Sequence, residues 1–303
     1  MNRVANLGQH DRIISLIMQT QRESANAELS IASGRKSQDY KGIARDASRL
    51  VELETTQLRS NQYIENNQLV EDRLQLMEGN VGQVFDILSG FKSLLINALN
   101  EGNATELGLQ NHATEMMTQV ATLLNADLDG RKLFAGSMTN IDPVDLTGLP
   151  VAYAIPSADG DAAGYYQGDA IQHTIRADDN LDLTYGITAD AVGFEQVIRA
   201  MDIVIKGAPT DTVMLNHALE IVNTATHSVA DIRTQIGNTR SSLAEIEKTH
   251  QDFILFANET IGDLENTDIT FAITKLNEAQ TTLEASYMTL SRLGQISLLQ
   301  FLR

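Results

Sequence analysis

A run of apolar residues at alternating steps of four and three most strongly constrains the fold of this chain. It extends from residue 70 to residue 95, and its members are Val70, Leu74, Met77, Val81, Val84, Leu88, Phe91 and Leu95. A repeat of about 3.5 residues places these side chains on one stripe of a helix, as in a coiled-coil seam. The alternative, an ordinary amphipathic core helix, usually loses the strict alternation over such a distance. We predict one helix from about residue 43 to residue 100.

A second seam with the same spacings lies in the C-terminal half. Its members are Val222, Val229, Ile232, Ile236, Leu243, Ile246 and Phe253. A last helix, predicted after "ENTD", carries a third stripe: Leu276, Ala279, Leu283, Ser286, Leu290 and Leu293. Packing the first two seams on each other is the simplest way to bury both. The predicted fold is therefore mainly α, a long antiparallel helical coiled-coil bundle formed by the N- and C-terminal parts, with a small β-rich insert.

Glycine and asparagine residues mark the predicted helix ends in the first half. Gly102 is expected to stop the long helix, and Asn103 is expected to cap the next one. That shorter helix is predicted to run into "NADLDG" and to stop at Gly130.

Residues 141–193 differ in composition from the flanking helical parts. They contain nine Asp, no Glu, no Lys and a single Arg, together with three of the four Pro residues. The segments "IQHTIRA" and "LDLTYGI" alternate apolar and polar residues between turn-forming residues, which predicts short strands. We expect terminal helices at 1–42 and 268–303, a coiled-coil core domain at 43–140 and 194–267, and an exposed acidic insert at 141–193.

Both chain ends carry apolar residues without enough burial to order them. Residues 1–33 contain nine larger apolar side chains after Met1. Burying each contributes about 2 kcal/mol, which is less in total than ordering some 30 residues at about 1–2 kcal/mol each. We expect both ends to order only on assembly; alternatively, the C-terminal tail folds back on its own core. The predicted assembly interface consists of Leu7, Ile14, Ile17, Gly34, Arg35, Lys36, Arg45, Leu293, Ile296, Leu299, Phe301 and Leu302.

The net charge of −18 argues against binding to nucleic acid or to anionic lipid. The chain has no Cys, which excludes disulfides, thiolate metal ligands and a cysteine nucleophile. No stretch reaches the length of a membrane span, and the first residues are too polar for a signal-peptide core. We expect no membrane insertion and, if the protein is exported, a route without a cleaved signal.

The motifs of known catalytic and metal sites are also missing. The six His residues show no ligand spacing, and no nucleophile or dinucleotide motif is present. We predict no enzyme activity, no cofactor and no metal site. Two alternatives stay open. One is weak divalent-ion binding at "DLDG" or "ADGDAAG"; the other is an enzyme whose β insert forms a site from Asp159, Asp161, Asp178 and Asp179.

Four segments resemble the bacterial flagellin family over about residues 1–140 and 210–303. They are "LSIASGRKSQDYKGIARDASRL", "NQLVEDRLQLMEGNVGQVFDIL", "IGNTRSSL" and "ITKLNEAQTTLEASYMTLSRLGQISLLQFL". Two further segments, "GRKLFAGSMTNIDPV" and "GYYQGDAIQHTIRADDNLDLTYGI", resemble the branch of this family that joins the flagellar hook to the filament.

The resemblance implies a structural role in the bacterial flagellum, as a junction adaptor or, alternatively, as the filament flagellin. It implies unfolded export through the flagellar type III system to the cell exterior. The implied partners are other copies of the chain, a hook-side junction protein, filament flagellin and an export chaperone.

A break at Gly34 to Gly42 is expected to let the first helix turn back against the long helix. Its basic residues are expected to pair with acidic side chains of neighbouring subunits; alternatively, the break is a solvated loop. These residues are Arg35, Lys36, Lys41, Arg45 and Arg49.

Overall fold

The computed structural model describes residues 2–37, 39–40, 46–101 and 108–301. The helices of this part are α1 Asn2–Ser33, α2 Ala47–Glu101, α3 Leu109–Leu124, α4 Val192–Lys206, α5 Thr212–Glu265 and α6 Ile269–Phe301. The short strands are β1 Asp127–Leu128, β2 Arg131–Lys132, β3 His173–Asp178 and β4 Leu181–Tyr185. The prediction of a mainly helical chain with a little β structure is confirmed.

The chain forms two compact units. The terminal unit comprises Met1–Leu58 and Phe253–Arg303, and the central unit comprises Arg59–Asp252. The layers predicted from the sequence, with boundaries at 42/43 and 267/268, describe an assembly and stay a prediction. A coiled-coil pattern does not mark where contacts become sparse along a continuous helix, so it gave no sign of these divisions inside α2 and α5.

The two predicted seams form one core within the central unit. All eight residues of the first seam are buried, and so are the members of the second seam from Val222 to Leu243. Polar pairs flank this core: Gln68 with Glu247 at 3.1 Å, and Arg240 with Glu71 at 2.8 Å. Rising numbers on α2 meet falling numbers on α5, so the helices are antiparallel, as predicted.

The predicted helix end at Gly130 is wrong. Helix α3 ends at Leu124, and Gly130 lies in the tight turn between the antiparallel strands β1 and β2. Asp129 and Gly130 both have positive φ there, 53° and 75°. A glycine that ends a helix and a glycine in a hairpin turn share this backbone conformation, so the residue alone did not distinguish them. Gly102 and Asn103 lie outside the described residues.

The 141–193 insert is partly a core element of the central unit. Strands β3 and β4 pair antiparallel from His173 opposite Tyr185, as the alternating pattern predicted. Outside this hairpin, Val144, Ala162 and Tyr165 are buried. The Tyr165 hydroxyl donates a hydrogen bond to the carbonyl oxygen of Ala189 at 2.6 Å. The insert thus packs against the helices of its own unit, and its exposure on an assembly stays a prediction.

Polar contacts hold the β3–β4 hairpin on helices α2 and α5. Arg59 binds both carboxylate oxygens of Asp179, at 3.0 and 2.9 Å, and the Tyr63 hydroxyl donates to the same carboxylate at 2.9 Å. The buried His250 ring lies 3.1 Å from the carbonyl oxygen of Ala177 and stacks on Tyr63. This end of the hairpin is therefore attached by charge and hydrogen bonding.

We expect Leu74→Ala to lower the free energy of unfolding by about 2–5 kcal/mol, because it leaves a cavity at a fully buried seam position. Leu69→Ala is the matched control: Leu69 lies on the same helix and is 69% exposed, so its change should be about 0.5 kcal/mol or less. Urea unfolding of the two variants measures both values. Equal losses of unfolding free energy in the two variants would contradict the assignment of Leu74 to a buried seam.

Acidification should release the hairpin. The Arg59 and Tyr63 hydrogen bonds hold the pKa of Asp179 below its usual value, and burial lowers the pKa of His173. The pKa values of Asp179 and His173 are therefore both lower in the folded state than in the unfolded state. The His173 contribution is therefore lost as pH falls below about 6.5, and the Asp179 contribution as pH falls below about 4.

Hydrogen-exchange protection factors of residues 173–185 should fall across this pH window. In Asp179→Asn the part of the loss below about pH 4 should disappear, and protection should already be lower at pH 7. Asp182→Asn, an exposed carboxylate of the same hairpin, is the control and should follow the parent curve. An unchanged profile for Asp179→Asn would exclude Asp179 as the acid-sensitive contact.

Candidate assembly interface

Helices α1 and α6 pair antiparallel within the terminal unit. The Gln21 side chain donates a hydrogen bond to the Tyr287 hydroxyl at 2.7 Å, and Arg35, just past the end of α1, pairs with Asn266, just before α6. The described side chains buried between them follow steps of three, four and seven. They are Ile17, Thr20, Ser24 and Ala27 on α1, and Ala272 and Ala279 on α6.

The predicted stripe of the last helix faces this contact. Leu276, Leu283, Ser286 and Leu290 are half-buried, whereas most of their neighbours on α6 are exposed. Most of the fully buried positions carry Ala, Ser or Thr, so the pair buries little apolar area along its own seam. Each methylene group that a larger side chain would bury at such a position contributes about 0.8 kcal/mol of stability.

Several large apolar side chains of the same two helices point away from their contact. Phe271 and Met288 are each 60% exposed. We call the set the outer apolar residues: Leu16, Met18, Leu29, Ile269, Phe271, Ile273 and Met288. A helix pair that buries small residues and exposes large apolar ones presents a surface suited to contact with further protein.

The structure places the predicted interface residues in three groups. Ile17 is buried in the α1–α6 seam and Ile14 is half-buried beside it. Gly34, Arg35 and Lys36 form a connection described below. Leu7 lies on α1, and Leu293, Ile296, Leu299 and Phe301 lie on α6. Arg45 and Leu302 lie outside the described residues. Contact of these positions with another molecule stays a prediction.

Residues 34–36 pair with residues 263–267, and we call this connection the clasp. Gly34 follows α1 with φ +72°, and its carbonyl oxygen accepts a hydrogen bond from the Thr267 amide at 2.8 Å. The Lys36 amide donates to the carbonyl oxygen of Glu265 at 2.7 Å. The clasp thus joins the connection after α1 to the connection between α5 and α6.

The basic side chains of the clasp bind within their own chain. The Lys36 ammonium group donates to the carbonyl oxygens of Asp263 and Leu264, the latter at 3.1 Å. These carbonyls lie in the last turn of α5, where the helix dipole favours a cation. Arg35 lies 3.5 Å from the Glu265 carboxylate. These contacts lie within one chain, and pairing of Arg35 and Lys36 with a neighbouring subunit stays a prediction.

A groove of about 770 Å³ lies between α1 and α6 beside the clasp. Its walls include the small residues Thr20, Ala27 and Ala272, which leave this space open, and Phe271 at the rim. Glu23, Lys275 and Glu278 add charges of both signs. Sequence reasoning missed Thr20, Ser24 and Ala27 because small residues carry no hydrophobic signal, although their spacing from Ile17 continues the heptad pattern.

The four Asp residues of the enzyme alternative take part in contacts that hold the fold. Asp159 pairs with the buried Arg199, and Asp161 accepts a hydrogen bond from the Ala158 amide at 2.7 Å. Asp178 accepts from the Asp179 amide, and Asp179 binds Arg59.

Within the described residues, His, Asp and Glu form no group of three or more that could hold a metal ion. Among the described helices, none combines the length and the hydropathy needed to cross a membrane.

Two family models match the sequence. The bacterial flagellin N-terminal helical region matches residues 7–139, and the bacterial flagellin C-terminal helical region matches residues 219–302. No curated protein matches the chain.

Solved structures of flagellar proteins share the fold. A putative flagellar hook-associated protein from Vibrio parahaemolyticus is 17% identical, with a TM-score of 0.59, and the match covers 72% of this chain and 97% of that one. FlgL from Bacillus cereus is 16% identical, with a TM-score of 0.56, covering 71% and 99%. Flagellar hook-associated protein 3 from Legionella pneumophila is 14% identical, with a TM-score of 0.54, covering 70% and 98%.

Proposed function

Since the chain belongs to the bacterial flagellin family, we propose that it is a structural component of the bacterial flagellum that joins hook and filament. The observation that carries the proposal is the α1–α6 pair, which buries small residues and exposes large apolar ones. Such a pair gains burial when further copies cover it. The similar solved structures, named as hook-associated proteins or FlgL, favour the junction over the filament.

In this proposal the terminal helices form the inner layer of a tubular assembly. Each outer apolar residue covered by a neighbour contributes about 2 kcal/mol. Several such contacts per copy offset the entropy of ordering the helices. The seam core forms the next layer, and part of the acidic insert faces outward. The charged insert would then keep the outer surface hydrated and self-repelling.

The proposed partners are other copies of the chain, a hook-side junction protein and filament flagellin. Export runs unfolded through the flagellar type III system, with a chaperone holding the monomer, and the assembled protein lies outside the cell. The role is structural, without catalysis.

The position of the protein on the flagellum tests the proposal. An epitope tag inserted after Gly160, in an exposed turn of the insert with positive φ, should label a short zone at the base of the filament. Cells lacking the gene should keep their hooks and release filament protein into the medium. Label along the whole filament would identify the protein as the filament flagellin, and label absent from flagella would reject both roles.

Substitution of the outer apolar residues should impair assembly and have little effect on the stability of the monomer. We expect Phe271→Ser with Met288→Ser to abolish or strongly reduce motility, because the exposed side chains lose their contact with neighbouring copies. The melting temperature of the purified monomer should change by about 2 °C or less. Val151→Ser, at a 93% exposed position of the insert, is the control and should retain motility. Normal motility of the double variant would contradict the assigned surface.

A further inference from the structure

Side-chain packing along the seam between α1 and α6 defines its register only weakly. The hydrogen bond from Gln21 to Tyr287 joins two exposed residues, and the half-buried Leu276, Leu283 and Leu290 of α6 repeat every seven residues. Ala27 faces a helix whose fully buried positions, Ala272 and Ala279, are also alanines. The hydroxyl groups of the seam bond within α1: Thr20 donates to the carbonyl oxygen of Leu16 at 2.9 Å, and Ser24 donates to the Glu28 carboxylate at 3.4 Å. Register in a coiled coil is set by interlocking large residues or by polar pairs across the seam. A slip of seven residues would exchange Ala272 for Ala279 and Leu276 for Leu283 along the seam.

The clasp fixes the register of α1 against α6 more strictly than the seam does. Its two backbone hydrogen bonds, from Thr267 to Gly34 and from Lys36 to Glu265, can form at only one alignment of these two segments. The Lys36 ammonium group on the carbonyls at the end of α5 adds a charged contact at the same place. A slip of α1 against α6 would break all of these contacts together.

We propose that the clasp is the register lock of the terminal helices, so that α1 and α6 align and order together, starting from the clasp. The inference rests on the proposed role of this helix pair as the assembling surface. It adds how the alignment of the two helices in that surface is fixed. A copy whose helices were out of register would present its outer apolar residues at the wrong heights to its neighbours. The occupant of the correctly aligned surface is a second copy of this chain.

Cross-linking in the self-associated full-length protein tests the lock, because both chain ends are expected to order on assembly, and the absence of native Cys makes introduced pairs specific. Gln21→Cys with Tyr287→Cys reports the register of the structure, in which these side chains are in contact. Gln21→Cys with Gln280→Cys reports a slip of seven residues. A short bismaleimide is the probe, and mass spectrometry measures the ratio of the two cross-linking yields.

The lock is removed by Thr267→Pro, which deletes one backbone donor, combined with Lys36→Met, which deletes the charge and keeps the aliphatic stem. Proline fits here because the preceding residue, Asn266, lies in an extended bridge. Lys36→Met alone is the milder variant if the double variant unfolds. Lys275→Met is the control, since Lys275 is an exposed lysine of α6 that pairs with Glu278 outside the clasp.

We expect the parent and Lys275→Met to favour the Gln21–Tyr287 cross-link, and the ratio to fall about tenfold when the clasp is removed. Hydrogen-exchange protection of residues 11–33 and 269–292 should fall together. An unchanged ratio without the clasp, or loss of protection in one helix only, would overturn the inference. Because the measurement uses the purified chain without other flagellar proteins, its result is independent of the labelling experiment that decides the proposed function.

Discussion

The packing of two heptad-spaced apolar stripes on α2 and α5 is the interaction on which the rest of the structure depends. Seam residues such as Leu74, Leu88 and Val229 are fully buried, and α3, α4 and parts of the insert pack around the same core. The interdigitation of large side chains sets the register of α2 against α5, and Arg240 supports it by binding Glu71 and Glu78. Elements with less apolar surface are held by their position on this core.

The contrast between the two helix pairs explains how one chain can combine a stable core with an adaptable end. In the central unit, large residues face inward. In the terminal unit, alanine, serine and threonine occupy most buried seam positions, while residues such as Phe271 and Met288 face outward. A helix pair with a small-residue seam has little stability of its own and much to gain from neighbours. In this arrangement a few backbone and charged contacts at the clasp have a large effect on alignment.

Helix α4 shows how the insert is joined to the core by polar groups. The buried Arg199 lies 3.2 Å from the Glu195 carboxylate and also binds Asp159 of the insert. The Tyr153 hydroxyl donates to the buried carboxylate of Asp202 at 2.7 Å. Burial raises the pKa of Glu195, while the Ala162 amide and Arg199 act to lower it. Breaking one partner of such a network leaves a buried charge unpaired, so these contacts specify how the insert folds.

The sequence by itself determined the helical class, the two large seams, the β3–β4 strand pair and the family resemblance. These features come from local periodicity and composition, and residues such as Leu74, Leu243 and Ile175 carry them. Only the tertiary structure decided that Gly130 turns a hairpin, that Asp159 and Asp179 bind Arg199 and Arg59, and that Lys36 binds the end of α5. The physical reason is that a charged or small residue has no preferred partner until the fold brings one within reach. A continuous stripe of large apolar residues, in contrast, favours burial in any fold that the chain can adopt.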